Sequence, residues 1–243
     1  MRKDGREPDE LRAITLERGY LDNPEGSCLI RLGRTWGLCT ATVEEGVPDF
    51  LAERGAGWVT AEYNMLPRAT RTRSGRERTP TPVRGRTAEI QRMIGRCLRA
   101  VTDLRGLEGF TVRVDCDVLQ ADGGTRTACV TAGFVALAEA LAHLKSSGRL
   151  QAIPLHDTVA AVSVGLLGKE PCLDLCYEED ARAEVDVNLA MTGQGLWVEI
   201  QGTAENAPFS TNKMNEMMKL GTEGIGQLMK AQRTALEGLK LKL

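Results

Sequence analysis

Two histidines in 243 residues leave little for the common forms of side-chain acid–base and nucleophilic catalysis. His143 lies inside an apolar run and His156 follows Pro154, and neither completes a Ser–His–Asp or Cys–His pattern, so both are assigned to structure. Seven cysteines (28, 39, 97, 116, 129, 172 and 176) include no CxxC pair, and Cys172 and Cys176 have no nearby histidine, which argues against a zinc site. Most of them sit in apolar periodic segments and read as small hydrophobes of a reduced interior. No apolar run reaches the ~18 residues of a membrane span. The charged start MRKDGREPDELRA is not a signal sequence. The expectation is a cytoplasmic protein with no membrane partner. Lysine is also scarce, eight residues against 23 arginines. That bias favours bidentate phosphate contact over simple solubility.

A net charge of −2 hides two opposed blocks. Between Arg68 and Arg99 stand ten arginines against two glutamates, and between Glu170 and Glu205 nine acids against Arg182 alone. A polyanion on one face and a cation on another would account for both. Pairing of the two blocks with each other as a structural interface is the alternative.

The chain reads as strands followed by a helix, twice over. Short strands at Ile14–Leu16, Ser27–Leu32 and Leu38–Val43 form a meander, and Gly57–Tyr63 is a further strand. Leu66–Arg84 has no period, holds three prolines and carries most of the arginine density, as a long functional loop does. A helix starts at Gly85, with Ile90, Met93, Ile94, Cys97, Leu98 and Val101 on one stripe. Arg92, Arg96 and Arg99 lie off that stripe and read as solvated or subunit-facing charges, and Arg86 projects along its buried side, where a charge needs a partner. The second half has a strand at Thr111–Leu119, with Val112, Val114, Cys116 and Val118 on one face and Arg113, Asp115 and Asp117 on the other, a helix over about 126–145, and strands near Asp157–Leu166, Cys172–Cys176, Ala183–Met191 and Leu196–Gln201. A last helix begins after Pro208, with Ser210 as N-cap and Phe209 and Met214 as a hydrophobic staple. Gly221, Gly224 and Gly226 should weaken it midway. The expected fold is a mixed α/β (α+β) layer structure in one domain, residues 1–243, with duplicated strand–helix halves and a C-terminal helix.

The most informative stretch is Gln120–Val130, QADGGTRTACV. It turns from a half-buried strand into a helix that is apolar almost all round. Gly123 and Gly124 permit a tight turn, the helix start offers unpaired N–H groups to an anion, and Arg126 adds a bidentate cation. An ordinary tight connection is the alternative reading. In EEDARAEVDVNLAM (178–191), Asp180 lies in a turn and Asp186 on the polar face of a strand. Two carboxylates so placed suit an oxygen-seeking cation such as Mg²⁺ or Mn²⁺, or else are a solvated turn acid and an edge-strand acid. If strand 184–190 neighbours strand 111–119, both acids lie near the GGTR turn, and anion cradle, metal and polyanion loop form one site for phosphoryl chemistry.

The segments DGREPDELR (4–12), GWVTAEYNMLPRAT (57–70), GRTAEIQRMIGRCLRAVTDL (85–104), QADGGTRTA (120–128), EEDARAEVDVNLAMT (178–192) and EIQGTAENAPFS (199–210) resemble the RNase PH family over about residues 1–240. These are phosphate-dependent tRNA nucleotidyltransferases. The resemblance implies a phosphorolytic 3′-exoribonuclease that trims precursor tRNA and releases nucleoside diphosphates. It implies that Arg86, Gly124, Thr125 and Arg126 hold the attacking phosphate, that Asp180 and Asp186 are catalytic, metal-linked acids, and that Arg68, Arg73 and Arg76 grip tRNA. It also implies a homohexamer, a trimer of dimers. The chain departs from the family pattern in Gly33–Leu38, with Arg34, Trp36 and Gly37, and in the Arg- and Pro-rich loop 71–84. An inactive RNA-binding ring subunit would share the fold, but intact phosphate and acid positions count against it. A small-molecule enzyme would leave the arginine loop unexplained.

Overall fold

The computed structural model describes residues 2–76, 85–205, 208–239 and 241. Prolines 80 and 82 and the rest of the loop at 77–84 lie outside them. The alternating runs of the first half become β1 (Ile14–Arg18), β2 (Gly26–Leu32) and β3 (Thr35–Glu45), an antiparallel meander. β4 (Trp58–Met65) leads through α1 (Gly85–Arg99) to β5 (Phe110–Gln120), which inserts between β3 and β4. β5 runs antiparallel to β3 and parallel to β4. A parallel neighbour requires a crossover, and α1 supplies it. α1 buries the expected stripe of Ile90, Met93, Ile94, Cys97 and Leu98.

The second sheet is antiparallel, in the order β7 (Glu170–Leu173), β6 (Val159–Leu167), β8 (Val185–Thr192), β9 (Trp197–Ala204). β7 ends at Leu173, short of the expected Cys176, and a single turn, α3 (Tyr177–Asp180), follows before β8. Strand β8 therefore pairs with β6 and β9, in a different sheet from β5. The neighbouring of the two strands considered from sequence does not occur.

Helix α2 (Thr125–Ser146) runs between the sheets and touches strands of both. One buried cluster takes Val112, Val114 and Val118 from β5, Phe134, Leu137 and Leu141 from α2, and Val159, Ala161 and Ala190 from the second sheet. By length and composition α2 could cross a membrane, but 83% of its apolar window is buried inside this protein. Its all-round apolarity is used by two sheets, as a central core helix requires. Truncating fully buried Phe134 to alanine should cost about 3–5 kcal/mol.

Helix α4 (Thr211–Ala235) is continuous over 25 residues, against the expected weakening at its glycines. A Cβ at Gly221 would overlap Leu189 Cδ1, and one at Gly224 would stand 2.7 Å from Leu173 Cδ1. These glycines let the helix lie close on the second sheet, and burial there offsets their low propensity. Ser210 accepts a hydrogen bond from the Lys213 amide, as an N-cap should.

Candidate active site

The turn before α2 is built for close backbone approach. Gly123 and Gly124 hold left-handed φ of 78° and 64°, and Gly124 caps the helix without any side-chain bond. The first-turn amides thus keep their donors for a ligand. A Cβ at Gly123 would overlap Leu175 O and stand 2.7 Å from Cys176 C. The turn therefore packs backbone against backbone on the segment that leads into α3. This contact brings the two halves of the site together, in place of the strand pairing that does not occur.

Side chains brace the turn from behind. Arg12 donates to Asp122 O at 2.5 Å and Gly123 O at 3.3 Å. Thr35 donates to Gly123 O at 2.6 Å and accepts from the Asp122 amide at 3.0 Å. Thr35 lies within the Gly33–Leu38 stretch, so that stretch braces the turn directly. Tyr63 OH and Thr125 Oγ1 share a hydrogen bond of 2.9 Å.

Arg126 Nη1 donates to Gln201 Oε1 at 2.5 Å and to Glu89 Oε2 at 3.2 Å, while Gln201 Nε2 donates to Glu89 Oε1 at 3.2 Å. Glu89 comes from α1, Gln201 from β9 and Arg126 from α2, so three elements fix one guanidinium. Every such bond uses Nη1, which leaves Nε and Nη2 for an anion among the described residues. Arg86, the second residue of α1, is exposed rather than on the buried side expected of it. Its partners are electrostatic: it draws down the proton affinities of both Asp180 and Asp186, as does Arg126.

Asp180 ends α3 and Asp186 is the second residue of β8. Burial raises Asp180 above the ordinary carboxylate range. Burial, and then the charge of Asp180, push Asp186 up to about 6, although Arg126, a hydrogen bond from Asn188 Nδ2 at 3.1 Å and Arg86 oppose this. The two acids and two arginines feel one another, yet no ion pair joins them among the described residues. Asp180 is exposed and Asp186 half-buried, and the charge of the first raises the second, so the two carboxylates are a donor set suited to Mg²⁺ or Mn²⁺, which would relieve that repulsion. Asp186 lies on an interior strand, which removes the edge-strand alternative.

An ion network hidden from sequence reasoning supports this site. Arg12, 6% exposed, donates from Nε and Nη2 to Asp174 at 2.9 and 2.6 Å, and its amide donates to the same carboxylate at 2.9 Å. Arg2 grips Glu179 through two nitrogens at 2.8 Å, and Arg6 reaches both acids. Burial would raise Glu179, but Arg2, the Cys176 amide and Arg6 hold it down to about 2. The N-terminal segment thus straps the α3 region to the Gly123–Gly124 turn. Asp174 takes a left-handed φ of 53° to make these contacts. Arginines at 2, 6 and 12 in an irregular segment were the available signal.

Arg68, Arg73 and Arg76 are exposed and form no ion pair among the described residues. Burial raises Asp117 on β5 above the ordinary carboxylate range, and the charge of Arg76 opposes this. The opposed charge blocks do meet in part, through Arg71–Glu178 at 3.2 Å and Arg96–Glu199 at 2.9 Å. Lys3 also pairs with Glu178, and Arg2 neutralises Glu179, a further member of the acidic block. Arg99 stacks on Trp58 at 4.3 Å and donates to Val59 O, so it is a structural cation rather than a solvated one.

Comparison with known proteins finds two successive family matches. Residues 10–142 match the model for domain 1 of the 3′ exoribonuclease family, and residues 157–224 match domain 2. Among solved structures, rice (Oryza sativa) Rrp46 superposes with a TM-score of 0.77 at 19% identity, covering 97% of this chain and all of that one. The Archaeoglobus fulgidus exosome with RNA bound to the active site gives 0.80 at 22%, covering 94% of this chain and 91% of that one. An archaeal exosome core gives 0.76 at 20%, covering 96% and 91%. At such identities the structural likeness speaks for the fold.

Proposed function

We propose that this chain, which belongs to the 3′ exoribonuclease family, is a phosphorolytic 3′-to-5′ exoribonuclease that trims precursor tRNA in the cytoplasm. The observation that carries the reading is the packing of the Gly123 turn on the backbone that leads to Asp180, with Arg86 and Arg126 acting on both acids.

Phosphate and the scissile diester are both anions, so the site must neutralise each before they approach. The amides of Gly124, Thr125 and Arg126 and the guanidiniums of Arg86 and Arg126 bind and orient the free phosphate. A phosphate oxygen attacks the terminal phosphorus, the bond to the neighbouring 3′-oxygen breaks, and a nucleoside diphosphate leaves. The shortened RNA keeps a 3′-hydroxyl, and the reaction is reversible because bond types are conserved. Asp180 and Asp186 would hold Mg²⁺ or Mn²⁺, which when bound supplies positive charge to the reacting oxygens. Glu89 and Gln201 keep the Arg126 fork turned toward the phosphate.

Arg68, Arg73 and Arg76 are suited to the RNA backbone, with recognition through phosphate, 2′-hydroxyl and stacking contacts. We further propose a homohexamer, a trimer of dimers, as the working assembly. The test is the product released from a tRNA precursor with a 3′ extension. Nucleoside diphosphates formed only when inorganic phosphate is supplied support the reading. Monophosphates, or phosphate-independent release, overturn it, and absence of turnover with intact RNA binding would mark an inactive ring subunit.

A further inference from the structure

Three cysteines that play no part in the proposed chemistry meet in the core. Cys39 comes from β3, Cys116 from β5 and Cys129 from α2, and Cys39 and Cys116 are direct cross-strand partners. Their sulfurs lie within 4.8 Å of one another, with 3.4 Å between Cys39 and Cys116, and each residue is 1% exposed or less. Three sulfurs about 2.3 Å from one centre stand about 4 Å apart if the centre is planar and about 3.4 Å apart if it is pyramidal. Small neighbours flank the group: a Cβ at Gly37 would come within 3.8 Å of Cys129 Sγ, and one at Gly133 within 3.9 Å of Cys116 Sγ.

We propose that Cys39, Cys116 and Cys129 form a buried three-sulfur site for arsenic(III), supplied as arsenite. Soft thiolates select soft ions, and the surroundings select the charge. The neighbours are apolar, Ile30, Ile94 and Val114 among them. The thiols bond to one another and to the Cys129 carbonyl. Three thiolates leave a net charge of minus two around a monovalent ion and minus one around a divalent ion. Around a trivalent ion they leave none. Burying an uncompensated charge is costly, so the neutral complex is the one this core accepts.

The step balances without a redox partner. Three As–O bonds of arsenous acid break, three As–S bonds form, and each thiol proton leaves with a hydroxide as water. Bound arsenic would join β3, β5 and the first turns of α2, three residues beyond Arg126. The inference does not depend on the exoribonuclease reading.

The experiment uses the reduced full chain, incubated with arsenite and desalted. Native mass spectrometry should find one arsenic per chain, and X-ray absorption should find three sulfur neighbours. Arsenite should raise the melting temperature, as any ligand of the folded state does. Cys39→Ala, Cys116→Ala and Cys129→Ala should each lose the stoichiometric arsenic, whereas Cys176→Ala keeps it. Should a core variant fail to fold, the wild-type coordination number and a competition with Cd²⁺ still decide. No retained arsenic, two sulfur neighbours, undiminished binding in the three variants, or preference for Cd²⁺ would each overturn the proposal.

Discussion

Gln201 on β9 accepts a hydrogen bond of 2.5 Å from Arg126 in the first turn of α2, so a strand of the second sheet aims the cation beside the Gly123–Gly124 turn. Glu89 holds the same nitrogen but opposes its charge. The two residues therefore separate orientation from electrostatics. Gln201→Ala should raise the phosphate KM about tenfold, the equivalent of removing a hydrogen bond worth about 1.4 kcal/mol. Glu89→Gln keeps a hydrogen-bonding group and removes a competing anion, so the phosphate KM should fall. Phosphate titrations at saturating RNA check both, and equal KM values for wild type and both variants would remove the pair from phosphate positioning.

Asp186 sets a pH signature. Its carboxyl is raised to about 6 from an ordinary value of 3.8, so the folded state binds this proton more tightly than the unfolded chain does. The resulting stability is fully present below about pH 4 and is lost as pH rises through about 6. Asp186→Asn should therefore stabilise the metal-free protein at pH 8, by about 1–3 kcal/mol, while abolishing turnover. In wild type the acid limb of kcat/KM should fall near pH 6 at low Mg²⁺ and move lower as Mg²⁺ rises. Urea unfolding and a pH–rate series at two Mg²⁺ concentrations measure these effects. A limb that ignores Mg²⁺ would contradict a metal on this acid.

Asp174 should matter as much to folding as to the site. It is 1% exposed and takes three bonds from Arg12. Asp174→Ala leaves that guanidinium buried without its partner, at a cost of about 3–5 kcal/mol. Denaturant melts should show the loss. A change under about 1 kcal/mol would mean that the N-terminal strap is dispensable.

The arginine loop makes an electrostatic prediction. Arg68→Ala, Arg73→Ala and Arg76→Ala should weaken RNA binding and flatten the plot of log K against log salt. The slope should change by about 0.7–0.9 for each RNA phosphate that the variant no longer neutralises. Filter binding at four salt concentrations is enough, and an unchanged slope would take these residues off the RNA path.

The elements of this fold were legible because their periods are clean. Alternation marked β5 down to which residues face inward, and the 3.6-residue stripe marked α1. The tight turn into α2 was legible too, since two glycines before an apolar run mark both the turn and the helix start. How the acids reach that turn was not. Period-two patterning says which face a strand buries but not which strand it joins, so it allows β8 beside β5 when β8 in fact pairs with β6 and β9. The link made by Gly123 to Leu175 is backbone on backbone and leaves no side-chain pattern to read. The helical glycines 221 and 224 mislead for a related reason: propensity is local, and the sheet they lie against is not. Arg12 and Asp174 stand 162 residues apart, and nothing in either segment announces the other.

The most direct measurement follows labelled inorganic phosphate through one round of digestion. The account predicts that the label appears as the terminal phosphoryl group of the released nucleoside diphosphates, at a rate that saturates with phosphate and collapses in Arg126→Ala. Label remaining entirely in free phosphate while RNA shortens would contradict it.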